Sequence, residues 1–242
     1  MQSVVNVIAS QGDAGNEAKE ELGRLLNSIA SFSDGRNYLL VNNQGKQLIA
    51  TLAAGLKTKK LHHSAGEQAL ATLQKLSIRS SVQKELVQLG MLEWLSIYLG
   101  GKPSPAALDY GCALLLNLCL HPFGRSAASR AATIFMATIA TLMADLKLPV
   151  CYYVNGVLYS VLGVARVRAR AREINLANIV KEKMEQNHCS DDGKQLPTIF
   201  KILIGGKNLI SINNQNCLSQ QFSVENSYFG RKGHCSLLWF LN

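Results

Sequence analysis

Apolar positions along this chain recur at helical spacing and are broken at regular intervals by short polar corners. Four segments, 26–30, 73–77, 115–119 and 158–162, share the pattern L-x-x-(L/I/V)-(A/S/C/L), and each leads into a polar turn and a further apolar helix. Taking the fourth residue of each as an anchor (Ile29, Leu76, Leu118, Val161) gives spacings of 47, 42 and 43 residues. A repeat of about 40 to 47 residues is the signature of stacked helical units that cannot cover their own apolar faces alone.

The elements follow from the same pattern. After Ile29, a polar corner at 32–40 leads past Gly45 into a helix carrying Leu48, Ile49, Leu52 and Leu56. After Leu76, the second unit reads as a helix over 80–87, then Gly90, then a helix carrying Met91, Leu92, Trp94, Leu95, Tyr98 and Leu99. Gly45 and Gly90 are expected to end one helix and turn the chain into the next, since the left-handed residue after a helix favours glycine. Asp109 is expected to cap a helix through 112–120 that stops at His121-Pro122. A single helix is predicted over 127–146, followed by 152–162, 166–173 and 176–184. The fold class expected is all-α: an armadillo/HEAT-like right-handed solenoid of about four repeats over 1–203. The third helix of each unit should line a concave binding surface. From 204 to 242 the register is lost, Asn and Gln crowd together at 213–221, and an irregular or disordered tail is predicted.

Composition supports helices. The chain is 48% apolar with only 7% aromatics and five prolines, which disfavours a sandwich of short strands. The formal net charge of +9 contains no like-charge block long enough for a nucleic-acid arm, so nucleic acid is not the expected partner. Its densest point is Arg166, Arg168, Arg170 and Arg172; on a helix Arg166 and Arg170 share one face and Arg168 and Arg172 project to the other. This basic patch reads as a solvated helix end, with acidic protein surfaces as the partner it would suit. Six cysteines without a CxxC pair suggest free thiols in a reducing cytoplasm, and Cys112 and Cys119, seven apart, should pack on one buried face. An uncharged run over 148–165 just reaches the length of a membrane span, but its Pro, Asn and Gly content reads as a buried core helix, so no membrane insertion is expected.

Catalytic chemistry has little to stand on. His62 and His63 are adjacent and cannot form an i, i+4 zinc pair; Cys189 beside His188 is a weak signal; and no phosphate loop, nucleophile elbow or paired carboxylates occur. No enzyme activity, cofactor, metal or small-molecule substrate is expected. A peptide groove of the nuclear-import type needs Asn and Trp at fixed positions of the third helices. The Asn positions hold Ser28, Lys75, Asn117 and Ser160 and the Trp positions Arg24, Ala71, Ala113 and Gly156, so only Asn117 fits. Those first four residues are the candidate partner groove.

The stretches 73–79, 113–120 and 153–162, with 32–39, in this order and spacing, resemble the armadillo region of the LisH-domain armadillo family of the ciliary basal body over roughly residues 3–203. The resemblance implies a scaffold of the centriole and basal body that supports cilium assembly, cilium stability and Hedgehog signalling, with other centriolar and ciliary proteins as partners and cytoplasm and cytoskeleton as location. It also implies a LisH dimerisation motif and a coiled coil. Neither is read in these residues, so a fragment or short isoform is expected.

Overall fold

The computed structural model describes residues 2–9, 16–61, 63–145, 150–186 and 195–205. Among the described residues there are helices and no strands: α1 (Gln2–Ala9), α2 (Asn16–Ala30), α3 (Ser33–Leu39), α4 (Asn42–Lys57), α5 (His63–Leu76), α6 (Ser80–Gln88), α7 (Met91–Gly100), α8 (Pro105–Leu120), α9 (Pro122–Arg130), α10 (Ala132–Ala144), α11 (Cys151–Val161), α12 (Ala165–Glu173), α13 (Leu176–Gln186) and α14 (Leu196–Ile204). Two compact units divide the chain at Leu203, and residues 206–242, where the irregular tail is predicted, lie outside the described residues.

The helices fall into triplets. A short first helix (α3, α6, α9, α12) is followed by a second (α4, α7, α10, α13) and a third (α5, α8, α11), with α1 and α2 standing as second and third helices of the preceding unit. Like packs on like: α2 on α5, α5 on α8 and α8 on α11 in the third-helix row, α1 on α4 and α7 on α10 in the second, α6 on α9 in the first. Stacking explains why α8 and α10 are apolar nearly all round. From Ala107 to Cys119, α8 buries eleven residues, because neighbours press on it from both sides. Cys112 and Cys119 are both buried, as their seven-residue spacing on one face predicted, and neither is in a disulfide.

Several local expectations are corrected. Gly45 is not a turn. It lies inside α4, where an added Cβ would stand 2.7 Å from Leu40 Cα, and Asn42, with φ 57°, takes the left-handed conformation at that corner. Gly90 does turn the chain, with φ 71° between α6 and α7. Asp109 sits within α8; the cap is Ser104, whose hydroxyl oxygen accepts from Ala107 N–H, and Pro105 takes the first helical position, where its missing N–H costs nothing. The single helix expected over 127–146 is two helices, α9 and α10, meeting at Ala131, a break that no glycine or proline marks. The uncharged run yields α11, eleven residues and so about 16 Å long, half of what a bilayer core requires. Among the described residues no single helix is long and apolar enough to cross a membrane.

Candidate functional site

Ser28, Lys75, Asn117 and Ser160 stand at equivalent positions of α2, α5, α8 and α11, and the stack brings these helices side by side. Their side chains serve different ends. Ser28 is exposed. Lys75, half-buried, donates from Nζ to Asn27 Oδ1 (2.6 Å), Ser31 Oγ (2.7 Å) and Asn27 O (3.3 Å), tying α5 back to α2. Asn117 is 2% exposed; its Nδ2 donates to Ser77 Oγ at 2.8 Å and to Gln74 O at 3.3 Å, the same kind of link from α8 to α5. Ser160, buried, donates to Val157 O within its own helix. Three of the four are thus bound within the solenoid, and Asn117's amide hydrogens face the preceding unit. At the Trp positions, Ala71 and Ala113 are buried small residues and Gly156 is buried too; Arg24 alone reaches solvent, ion-paired with Glu20, whose carboxyl it holds below the usual carboxylate range.

On α12, Arg166 is exposed, Arg168 Nη1 donates to Leu162 O (3.0 Å), Arg170 pairs with Glu173 (2.8 Å), and Arg172 Nε donates to Leu203 O (2.9 Å). The sequence reading saw these as a patch and missed that Arg168 belongs to another series. Seven residues after each anchor stand Arg36, Gln83, Arg125 and Arg168. Each reaches back to the end of the preceding third helix: Arg36 to Ala30 O (3.0 Å), Gln83 to Ser77 O (2.8 Å), Arg125 to Leu120 O (2.7 Å) and Arg168 to Leu162 O. The last carbonyls of a helix have no partner within it, and a donor there, charged in three of the four units, satisfies them and complements the helix dipole. Burial, with Arg79 nearby, pulls the Arg36 guanidinium below its ordinary range. The signal was a long polar side chain at a fixed offset from each anchor, legible once the anchors were aligned.

The first helices also concentrate charge. α3, α6, α9 and α12 carry eight Lys or Arg against three Asp or Glu, half of the eight on α12. Among the described residues no group of three His, Cys, Asp or Glu side chains could hold a metal ion.

The capped triplets at this spacing are armadillo architecture, and comparison with solved structures agrees. A designed armadillo repeat protein, YIII(Dq)4CqI, superposes with a TM-score of 0.58 over 83% of this chain and 98% of its own, at 14% identity; a second, YIII(Dq.V1)4CPAF, solved in complex with the peptide (KR)4, gives 0.59 at 12% identity over the same shares. At such identities the likeness concerns the fold. Residues 86–203 match the family model described as LisH domain-containing protein ARMC9, ARM repeats. These repeats belong to the ARMC9 family. The zebrafish (Danio rerio) ARMC9 protein is 33% identical over 165 residues, 67% of this chain, and the human protein 31% identical over 182 residues, 74% of it. The chain spans only 20% and 22% of the lengths of these two ARMC9 relatives.

Proposed function

We propose that this chain is a non-catalytic protein-binding scaffold of the centriole and ciliary basal body, supporting cilium assembly and stability and, through the cilium, Hedgehog signalling. The observation that carries the reading is kinship with ARMC9 repeats over about three quarters of the chain, on a fold of stacked helix rows. Armadillo solenoids act by presenting extended surfaces to other proteins. Its partners on this reading are other centriolar and ciliary proteins. The test is localisation of the tagged full chain in ciliated cells co-stained for centrioles. Enrichment at the ciliary base supports the assignment; uniform cytoplasmic signal overturns it.

A second reading is favoured by the charge on the first helices: a cytosolic armadillo adaptor whose basic surface holds acidic partners, microtubule tails first and nucleic acid after them, with import-type cargo, itself basic, the least matched. Under this reading, binding to an acidic tubulin-tail peptide weakens steeply between 50 and 200 mM salt, about the range over which screening of exposed charges sets in. Binding unaffected by salt removes it.

A further inference from the structure

A cleft of about 320 Å3 lies where the α4–α5 corner and α5 face α7, with Leu56, Leu61, Glu67, Trp94 and Tyr98 in its lining. The two aromatic rings stack on each other, 4.6 Å between centroids and 14° between planes, and both side chains remain half-exposed. Glu67 of α5 stands at the cleft, its carboxylate accepting the Ser104 hydroxyl at the start of α8. That contact fixes the carboxylate while leaving lone pairs for a further donor. Tyr98 feels it: burial and the Glu67 charge push the phenol above its ordinary range. Lys59, at the rim and exposed, is the opposing charge.

An apolar floor, a flat aromatic wall and one oriented carboxylate define the chemistry of the occupant. A planar cation with an aliphatic stem satisfies all three: the stem covers the leucines, the plane lies on a ring, and two parallel N–H groups meet the carboxylate. A lysine ammonium would lose the planar stacking and the paired donors. Lys59 and the chain's net charge of +9 disfavour a run of positive residues, so the cation must stand alone in its segment. We propose that this cleft is a docking pocket for a single arginine side chain presented by a partner polypeptide. The inference uses the scaffold reading only in that the occupant is a protein segment; it is indifferent to where in the cell the chain works, so a failed localisation leaves it standing.

The test is selection of random twelve-residue peptides on the immobilised full chain, followed by anisotropy titration of fluorescein-labelled hits. The selected peptides should share one arginine flanked by uncharged or acidic residues, and replacing that arginine by norleucine should weaken binding about tenfold, the scale of one charge-assisted bidentate pair. Glu67→Gln keeps the acceptor for Ser104 and should leave the melting temperature unchanged while weakening the same peptides about tenfold. Lys59→Glu, at an exposed rim position, should tighten them. The proposal is overturned by hits that lack a cation, by hits that are polybasic, by binding equal in Glu67→Gln and the parent, by weaker binding in Lys59→Glu, or by the absence of any selected peptide.

Discussion

Gly124 and Gly163 occupy neighbouring repeats, and replacing each by alanine should move stability in opposite directions. Gly124 lies in α9, where helix propensity by itself favours alanine by about 1 kcal/mol. The corner reverses that sign. A Cβ on Gly124 would stand 1.8 Å from Leu118 O and 2.6 Å from Leu118 C, so α9 must retreat from the end of α8 by more than an ångström. Such overpacking costs about 1–3 kcal/mol. The retreat also stretches the Arg125 bond to Leu120 O, worth about 1 kcal/mol. With the propensity gain subtracted, Gly124→Ala should destabilise by about 2 kcal/mol, a fall of about 4–8 °C in melting temperature for a chain of this size. At Gly163 nothing lies within 4 Å of an added Cβ and φ is outside the left-handed region, so alanine there only restricts the unfolded chain and should raise stability by about 0.4–1 kcal/mol. Thermal unfolding followed by circular dichroism at one protein concentration reads both. Equal shifts in the two variants would refute the claim that backbone contact, not propensity, governs this corner.

Other expectations can be checked with the same preparation. Arg168→Met should cost about 1–2 kcal/mol, because it uncaps α11, whereas Arg166→Met should stay within about 0.5 kcal/mol; the denaturant midpoints of the two variants decide whether the α12 arginines are equivalent. His121 accepts the Phe123 N–H through Nδ1 at the start of α9, and burial, Arg125 and Lys84 lower its pKa. Since the unfolded chain then binds the proton more readily, stability is full above the unfolded value near 6.5 and declines as pH falls from there toward the folded value. His121→Asn, which caps without titrating, should lose less thermal stability than the parent between pH 7.5 and 5. Cys112 and Cys119 should resist iodoacetamide in the native chain and label fully in denaturant, since burial pushes the Cys119 thiol well above its ordinary range; mass spectrometry of native-labelled peptides carrying these residues would contradict this.

The repeat was legible because the array buries one apolar face per unit, and burial leaves its mark at every turn of every helix. The anchors Leu76, Leu118 and Val161 are fully buried and Ile29 partly so, each near the end of its third helix. Corners were less legible because several residue types solve the same geometric problem. Asn42 turns the chain where glycine was expected, and Ala131 separates two helices with nothing in its side chain to announce it. The α8 start was misplaced for a different reason. Ser104-Pro105 carries a stronger cap signal than Asp109, but it precedes the apolar stretch from which the helix was read. At the candidate site, position was readable and partnership was not. Asn117 stands where the repeat places it, yet what its amide contacts lies 40 and 43 residues back, and no local pattern encodes that distance.

Those long-range polar bonds answer a question that apolar stacking leaves open. Burial of leucine on leucine is non-directional, so a hydrophobic face alone lets successive units slide or rotate against each other. Each interface adds a directional contact of its own chemistry: Lys75 to Asn27 and Ser31, Asn117 to Ser77, Thr138 Oγ1 to Ser96 O at 2.6 Å, and Lys183 Nζ to Met143 O at 3.1 Å. Lys183 is 2% exposed and Asn117 equally so; displacing either from its acceptors strands a buried donor, at a cost of about 1–3 kcal/mol or more for the charge. Each contact joins one side chain to particular acceptors on the adjacent unit, so a unit slid or rotated on its neighbour would lose it. The covalent chain fixes the order of the units, a few polar side chains restrict how each is rotated on the next, and the leucines supply most of the stabilisation. The exposed side chains of Ser28 and Arg166 take no part in these contacts, so substitutions there should leave the stack intact, and a surface that can be altered on a fixed frame suits a binding scaffold.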